Sequence, residues 1–142
     1  MMAENFNAFM KAPEIDTEEI SYVASSRFTD ESGNPIPWKF HLITASENEK
    51  LILSATKKFV GATGKKETTT DNVRYMKALC AKCVTYPNLN DAELQAHYGA
   101  IGAEQLISKM LLPGEFTNLF NAIIQALGFE NDMADKIETA KN

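Results

Sequence analysis

The sequence predicts an α+β domain, in which an N-terminal β-hairpin precedes a mainly helical bundle of about five helices. Three observations carry this. Residues 19–43 alternate apolar and polar positions around the dense turn signal Asp30-Glu31-Ser32-Gly33-Asn34-Pro35. From residue 44 the apolar spacing changes to the helical i, i+3, i+4 pattern. Residues 86–119 then hold three helix starts and two glycine stops. At 142 residues and 44% hydrophobic composition, the chain is the size of one domain with one core. The expected organisation is an arm over 1–14, a hairpin over 15–43, a helical body over 44–128 and a polar tail over 129–142.

In the arm, Phe6, Phe9 and Met10 lie at i, i+3 and i+4 before Pro13. This predicts a short helix that docks on the body or on a partner. In the hairpin, Ile20, Tyr22 and Ala24 alternate with Ser21, Val23 and Ser25; Trp38, Phe40 and Leu42 alternate with Lys39, His41 and Ile43. Two strands alone are marginal, so one face must pack on helices or on another sheet. Ser46-x-x-Glu49 reads as a capping box, with Thr44-x-x-Glu47 as a competing register. Leu51, Ile52, Ala55 and Phe59 then predict one helix ending near Val60-Gly61. Residues 61–70, GATGKKETTT, predict a mobile loop.

Asp71 is placed to cap the next helix, whose stripe is Met76, Leu79, Cys80 and Cys83. Asn90-x-x-Glu93 predicts a cap at Asn90 for a short helix closing at Gly99. A further helix over about 103–111 buries Leu106, Ile107 and Met110. Pro113 suits the first turn of the most amphipathic helix, where Phe116, Leu119, Phe120, Ile123, Ile124 and Leu127 form one stripe up to Gly128. Residues 129–142 are mostly polar and are expected to fray or to form a loose helix.

Chemistry is sparse. Net charge is −5, which argues against nucleic-acid binding, although residues 92–111 mimic a helix-turn-helix. Residues 91–115 hold four acids and one base, the wrong sign for a DNA reader. Residues 57–82 carry seven bases and two acids, residues 1–35 seven acids and two bases. The basic middle is thus read first as solvated helix faces plus a loop, with an acidic partner or the chain's own acidic ends as the alternatives. Cys80-x-x-Cys83 lacks the further ligands that a zinc site needs, and it lies within a predicted helix, as buried core cysteines do. No spacing pairs His97 with either cysteine as a nucleophile dyad. Glu14, Asp16, Glu18 and Glu19 read as a solvated acidic run. Gly61-Ala62-Thr63-Gly64-Lys65-Lys66 lacks phosphate-loop spacing. No catalytic, metal or cofactor site is therefore assigned. The N-terminus has no positive region followed by an apolar run, and no stretch is long enough to span a bilayer, so a soluble cytoplasmic protein is expected.

The residues that carry a family resemblance are Pro87-Asn88-Leu89-Asn90-Asp91-Ala92-Glu93-Leu94-Gln95 with Tyr98-Gly99, then Gly102-Ala103-Glu104 and Met110-Leu111-Leu112-Pro113-Gly114-Glu115. Upstream, Ser26-Arg27-Phe28, Gly33-Asn34-Pro35-Ile36 and Trp38 add to it. Over roughly residues 15–130 the chain resembles the XkdN-like tail assembly chaperones of phages and prophages of Gram-positive bacteria. The resemblance implies a non-enzymatic chaperone of the host cytoplasm. It would bind the tape measure protein, keep it soluble and help tail tube protein assemble around it, and it would be absent from the finished virion. The alternative is a structural tail component retained in the particle. No catalytic residues come with the resemblance. Two apolar stripes are the candidate partner-binding residues: Phe6, Phe9 and Met10 of the arm, for a client or for self-association, and Phe116, Leu119, Phe120, Ile123, Ile124 and Leu127. The bland alternative makes the second stripe simply the core face.

Overall fold

The computed structural model describes residues 6–11, 14–15 and 18–129. It is α+β, with six helices and small antiparallel sheets among these residues. The arm contains α1 (Phe6–Lys11). Strands β1 (Glu19–Tyr22) and β2 (Trp38–His41) pair antiparallel, with Glu19 opposite His41 and Tyr22 opposite Trp38. They are shorter than the alternation implies, because residues 23–37 form a long connection fastened by an isolated bridge from Thr29 to Pro35. Ile43, expected on the polar side, is buried instead. The strand ends at His41, so the period-2 rule no longer governs it.

The face that two strands alone would leave open is closed by a third strand and by helices. Strand β5 (Val84–Tyr86) follows directly on the helix that ends at Cys83 and pairs with β2, giving the order β1-β2-β5. The chain leaves β5 through a cis Tyr86–Pro87 bond. As the central strand, β2 sends Trp38 and Phe40 into the core and leaves Lys39 outside. Helix α3 (Asn72–Cys83) adds Leu79, Cys80 and Cys83; α5 (Ala103–Met110) adds Leu106, Ile107 and Met110; α6 (Pro113–Ala126) adds Leu119 and Ile123. Both cysteines are free and act as small core hydrophobes.

The segment 44–70 departs from expectation. Helix α2 (Ala45–Ser54) starts from Thr44, not Ser46: Thr44 Oγ1 accepts from the Glu47 amide and Glu47 Oε1 accepts from the Thr44 amide, each at 3.2 Å. It stops at Ser54, and the rest of the expected helix is strand β3 (Thr56–Val60). The expected loop holds strand β4 (Lys66–Thr70), paired antiparallel with β3 from Thr56–Thr70 to Val60–Lys66. Two physical reasons prevail over the helical spacing. Thr56, Val60 and Thr68-Thr69-Thr70 are β-branched and favour extended backbone. The turn between the strands closes with Gly64 donating to the Gly61 carbonyl, and Gly64 takes the positive φ of +81°. Ala55 is the buried pivot, where the Asp71 amide bonds the Ala55 carbonyl at 2.8 Å.

Residues 86–119 follow the sequence closely. Asp91, not Asn90, caps α4 (Ala92–Tyr98): its carboxylate accepts from the Leu94 amide at 2.9 Å. The Asn90 side chain is one residue too early to reach that amide. Gly99 takes the left-handed conformation, φ +64°, that ends the helix. Gln95 braces the turn into α5 by donating to the Leu89 carbonyl and accepting from the Gly102 amide.

Candidate interaction surface

Chemistry at single side chains offers little. Burial pushes the Cys80 and Cys83 thiols up to about 12, with Glu47 adding to the effect at Cys83, so neither forms a thiolate near neutral pH. His97 is exposed on α4, edge-on to Tyr98. His41 sits between the Leu42 and Lys82 carbonyls and ties β2 to the end of α3. Among the described residues, no group of three or more His, Cys, Asp or Glu is placed to hold a metal ion, and no helix is long and apolar enough to cross a membrane.

A polar cluster around Arg27 and Glu115 is structural. Arg27, in the connection between β1 and β2, donates through Nη2 to the Met110 carbonyl at 2.7 Å and to Glu115 Oε1 at 2.8 Å. Glu115 Oε1 also accepts from the Leu112 amide at 2.8 Å, which caps the start of α6. Bonds from Arg27, Ser25 and that amide hold the Glu115 carboxyl down at about 2. The cluster locks the 23–37 connection onto the α5–α6 junction.

The two candidate stripes fare differently. In α6, Leu119 and Ile123 are fully buried, while Phe116, Phe120, Ile124 and Leu127 are half-buried against the same core. The stripe is therefore mostly the inward face of its helix; Phe116 also lines an outer groove and Leu127 a smaller pocket beside Ile43 and Phe129. The arm stripe is open: Phe6, Phe9 and Met10 are 68%, 83% and 65% exposed, and α1 buries none of its residues. The arm thus leaves two phenylalanines and a methionine exposed on one short helix.

The outer groove runs between α3, α5 and α6. Its apolar part, about 500 Å³, is floored by Val73, Met76, Leu111, Pro113 and Phe116. It continues into a polar part of about 440 Å³, through the shared residues Val73, Lys77 and Ser108. Arg74, Lys77 and Lys109 bring positive charge there, against Asp71 and Glu104. Asp71 is already engaged as the α3 cap, accepting from the Arg74 amide at 3.1 Å. Sequence reasoning missed this groove, because its residues come from three helices. The local signal was Val73 and Met76 at i, i+3, on the flank of the stripe that holds Leu79 and Cys83. The β3–β4 hairpin is a second exposed element; Lys57, Lys58, Lys65 and Lys66 lie on it, and Phe59 and Val60 are exposed.

An apolar groove between helices and an exposed apolar arm are thus the two main apolar surfaces of the described residues. Residues 6–141 match the family described as phage XkdN-like tail assembly chaperone protein. The chain belongs to that family. Two Bacillus subtilis (strain 168) proteins are similar to this tail assembly chaperone family member: YqbN and the phage-like element PBSX protein XkdN. Each is 31% identical over 136 residues, spanning 94% of this chain and 91% of the relative. The crystal structure of YqbN superposes with a TM-score of 0.73 at 25% identity, covering 91% of this chain and all of that one. This chain and YqbN therefore share a fold.

Proposed function

We propose that this tail assembly chaperone binds the tape measure protein of a long-tailed phage in the host cytoplasm. It keeps that protein soluble and promotes assembly of tail tube protein around it, without catalysing a reaction and without remaining in the virion. Family membership across residues 6–141 carries this reading. The groove supports it, since an apolar helical client needs a concave apolar seat, and Val73, Met76, Leu111, Pro113 and Phe116 form one. Phe116 contributes its exposed edge, and Leu119, Phe120, Ile123, Ile124 and Leu127 hold its helix in place from the core side. Phe6, Phe9 and Met10 supply a second apolar surface.

The magnitudes suit a reversible chaperone. Burying one large apolar side chain contributes roughly 1.5–3 kcal/mol. Three or four such side chains, less the cost of association, give affinities on the order of micromolar. Such a client is held in solution and can be released to the growing tube. Co-expression with the tape measure gene of the same genome is expected to raise that protein's soluble fraction and to allow co-purification. Unchanged solubility with no co-purification refutes the proposal. Mass spectrometry of purified particles is expected to find the chaperone missing; a stoichiometric amount would make it a structural tail component instead.

A further inference from the structure

The β3–β4 hairpin stands apart from the core with its edges open. Among the described residues it is a sheet of two strands, no third strand pairs with it, and no other element packs extensively on either strand. A two-stranded ribbon with open edges is a template for a further strand. The Gly61 amide donates to the Lys65 carbonyl at 2.9 Å, and the Asp71 amide donates to the Ala55 carbonyl at 2.8 Å. In an antiparallel ladder of that phase, the amides and carbonyls of Lys58 and Val60 point away from β4. Their side chains share one face with Thr68 and Lys66, and no acid of either strand lies on that face. Glu67, the one acid of residues 56–70, lies opposite Phe59 on the other face and folds over Gly61.

We propose that the outer edge of β3 takes an extended, acidic segment of a partner protein as a third strand, with an acidic side chain opposite Lys58 and an apolar one opposite Val60. Two observations select this occupant. Residues 56–70 carry four lysines against one glutamate, and none of the four is in an ion pair among the described residues. Opposite charges across a strand pair attract and like charges repel. The edge therefore favours an acidic segment and disfavours the β3 strand of a second copy, which would bring further lysines close. The edge also alternates backbone donors and acceptors. A polypeptide strand matches both, whereas a phosphate chain offers acceptors alone. The pattern recognised is an acid and an apolar residue two positions apart, on one face of a strand. The edge shares no residue with the α3–α5–α6 groove or with the arm, so this contact needs neither.

The experiment uses the full chain and a fluorescent, end-capped peptide. In it, glutamate and valine alternate on one face of the strand and threonine fills the other. Anisotropy at low salt is expected to give a Kd on the order of 100 µM. On binding, hydrogen exchange is expected to slow at the Lys58 and Val60 amides. Methylating the glutamate and valine amides of the peptide keeps its charge and removes its ladder donors, and is expected to weaken binding at least about tenfold. Lys58 is exposed, so Lys58→Glu leaves the core untouched; it is expected to weaken binding about tenfold as well. No binding up to about 2 mM overturns the proposal. So does a methylated peptide that binds as well as the parent, protection confined to residues outside the hairpin, or undiminished binding by Lys58→Glu. A thymidine oligonucleotide that binds more tightly than the peptide overturns it in favour of a nucleic-acid contact.

Discussion

Replacing Leu119 and Phe9 separately by alanine divides the two apolar stripes into core and surface. Leu119 is fully buried between α6 and the rest of the core, so Leu119→Ala removes its transfer free energy and leaves a cavity. Together these cost about 2.5–5 kcal/mol. For a domain of this length the unfolding entropy is on the order of 0.3 kcal/mol/K, so the melting midpoint should fall by ~8–17 °C. Phe9 is 83% exposed, and Phe9→Ala should stay within about 0.5 kcal/mol, or ~2 °C. The assay is thermal unfolding followed by circular dichroism at low protein concentration, where self-association adds nothing to the midpoint. Leu119→Ala melting within about 2 °C of the wild type, or Phe9→Ala losing more than about 5 °C, would refute this division of roles.

Further expectations follow from individual contacts. Asp91→Ala should destabilise by about 1 kcal/mol in urea unfolding and Asn90→Ala by clearly less, because Asp91 is the residue that caps α4. The Glu115 carboxyl is held at about 2, below its ordinary 4.5, chiefly by the bond from Arg27. Its stabilising effect is therefore complete above pH 4.5 and lost as pH falls toward 2. Wild type should exceed Glu115→Gln in stability at neutral pH, and the gap should close through that window; a constant gap down to pH 2 would contradict the assignment. Native protein should show no reactive thiol toward a disulfide reagent at neutral pH, and two after denaturation, since burial keeps Cys80 and Cys83 protonated.

Where local chemistry and tertiary packing agree, the elements were legible. Gly99 and Pro113 mark helix ends whatever surrounds them, because a left-handed residue and a missing N–H are local constraints. The spacing of Leu106, Ile107 and Met110 identified the inward face of α5. Thr56–Val60 misled because Phe59 falls in helical phase with Leu51, Ile52 and Ala55, while its neighbours are better strand formers. Val84–Tyr86 gave no signal, since three residues are too few to show a period and pairing with β2 alone defines them as a strand.

By itself, the sequence determined the fold class, the helices of residues 86–119 and the glycine stop at Gly99, the core role of Cys80 and Cys83, and the family resemblance. These rest on short-range chemistry and on residues close together in the chain. Tertiary structure decided which apolar stripe faces water. An amphipathic helix looks the same in sequence whether its face meets a core or a partner, and only the packing of α6 against α3 and the rest of the core buries Leu119 and Ile123. It also decided that Val73, Met76, Leu111, Pro113 and Phe116 form one groove, because a concave surface belongs to the spacing between helices and to none of them alone.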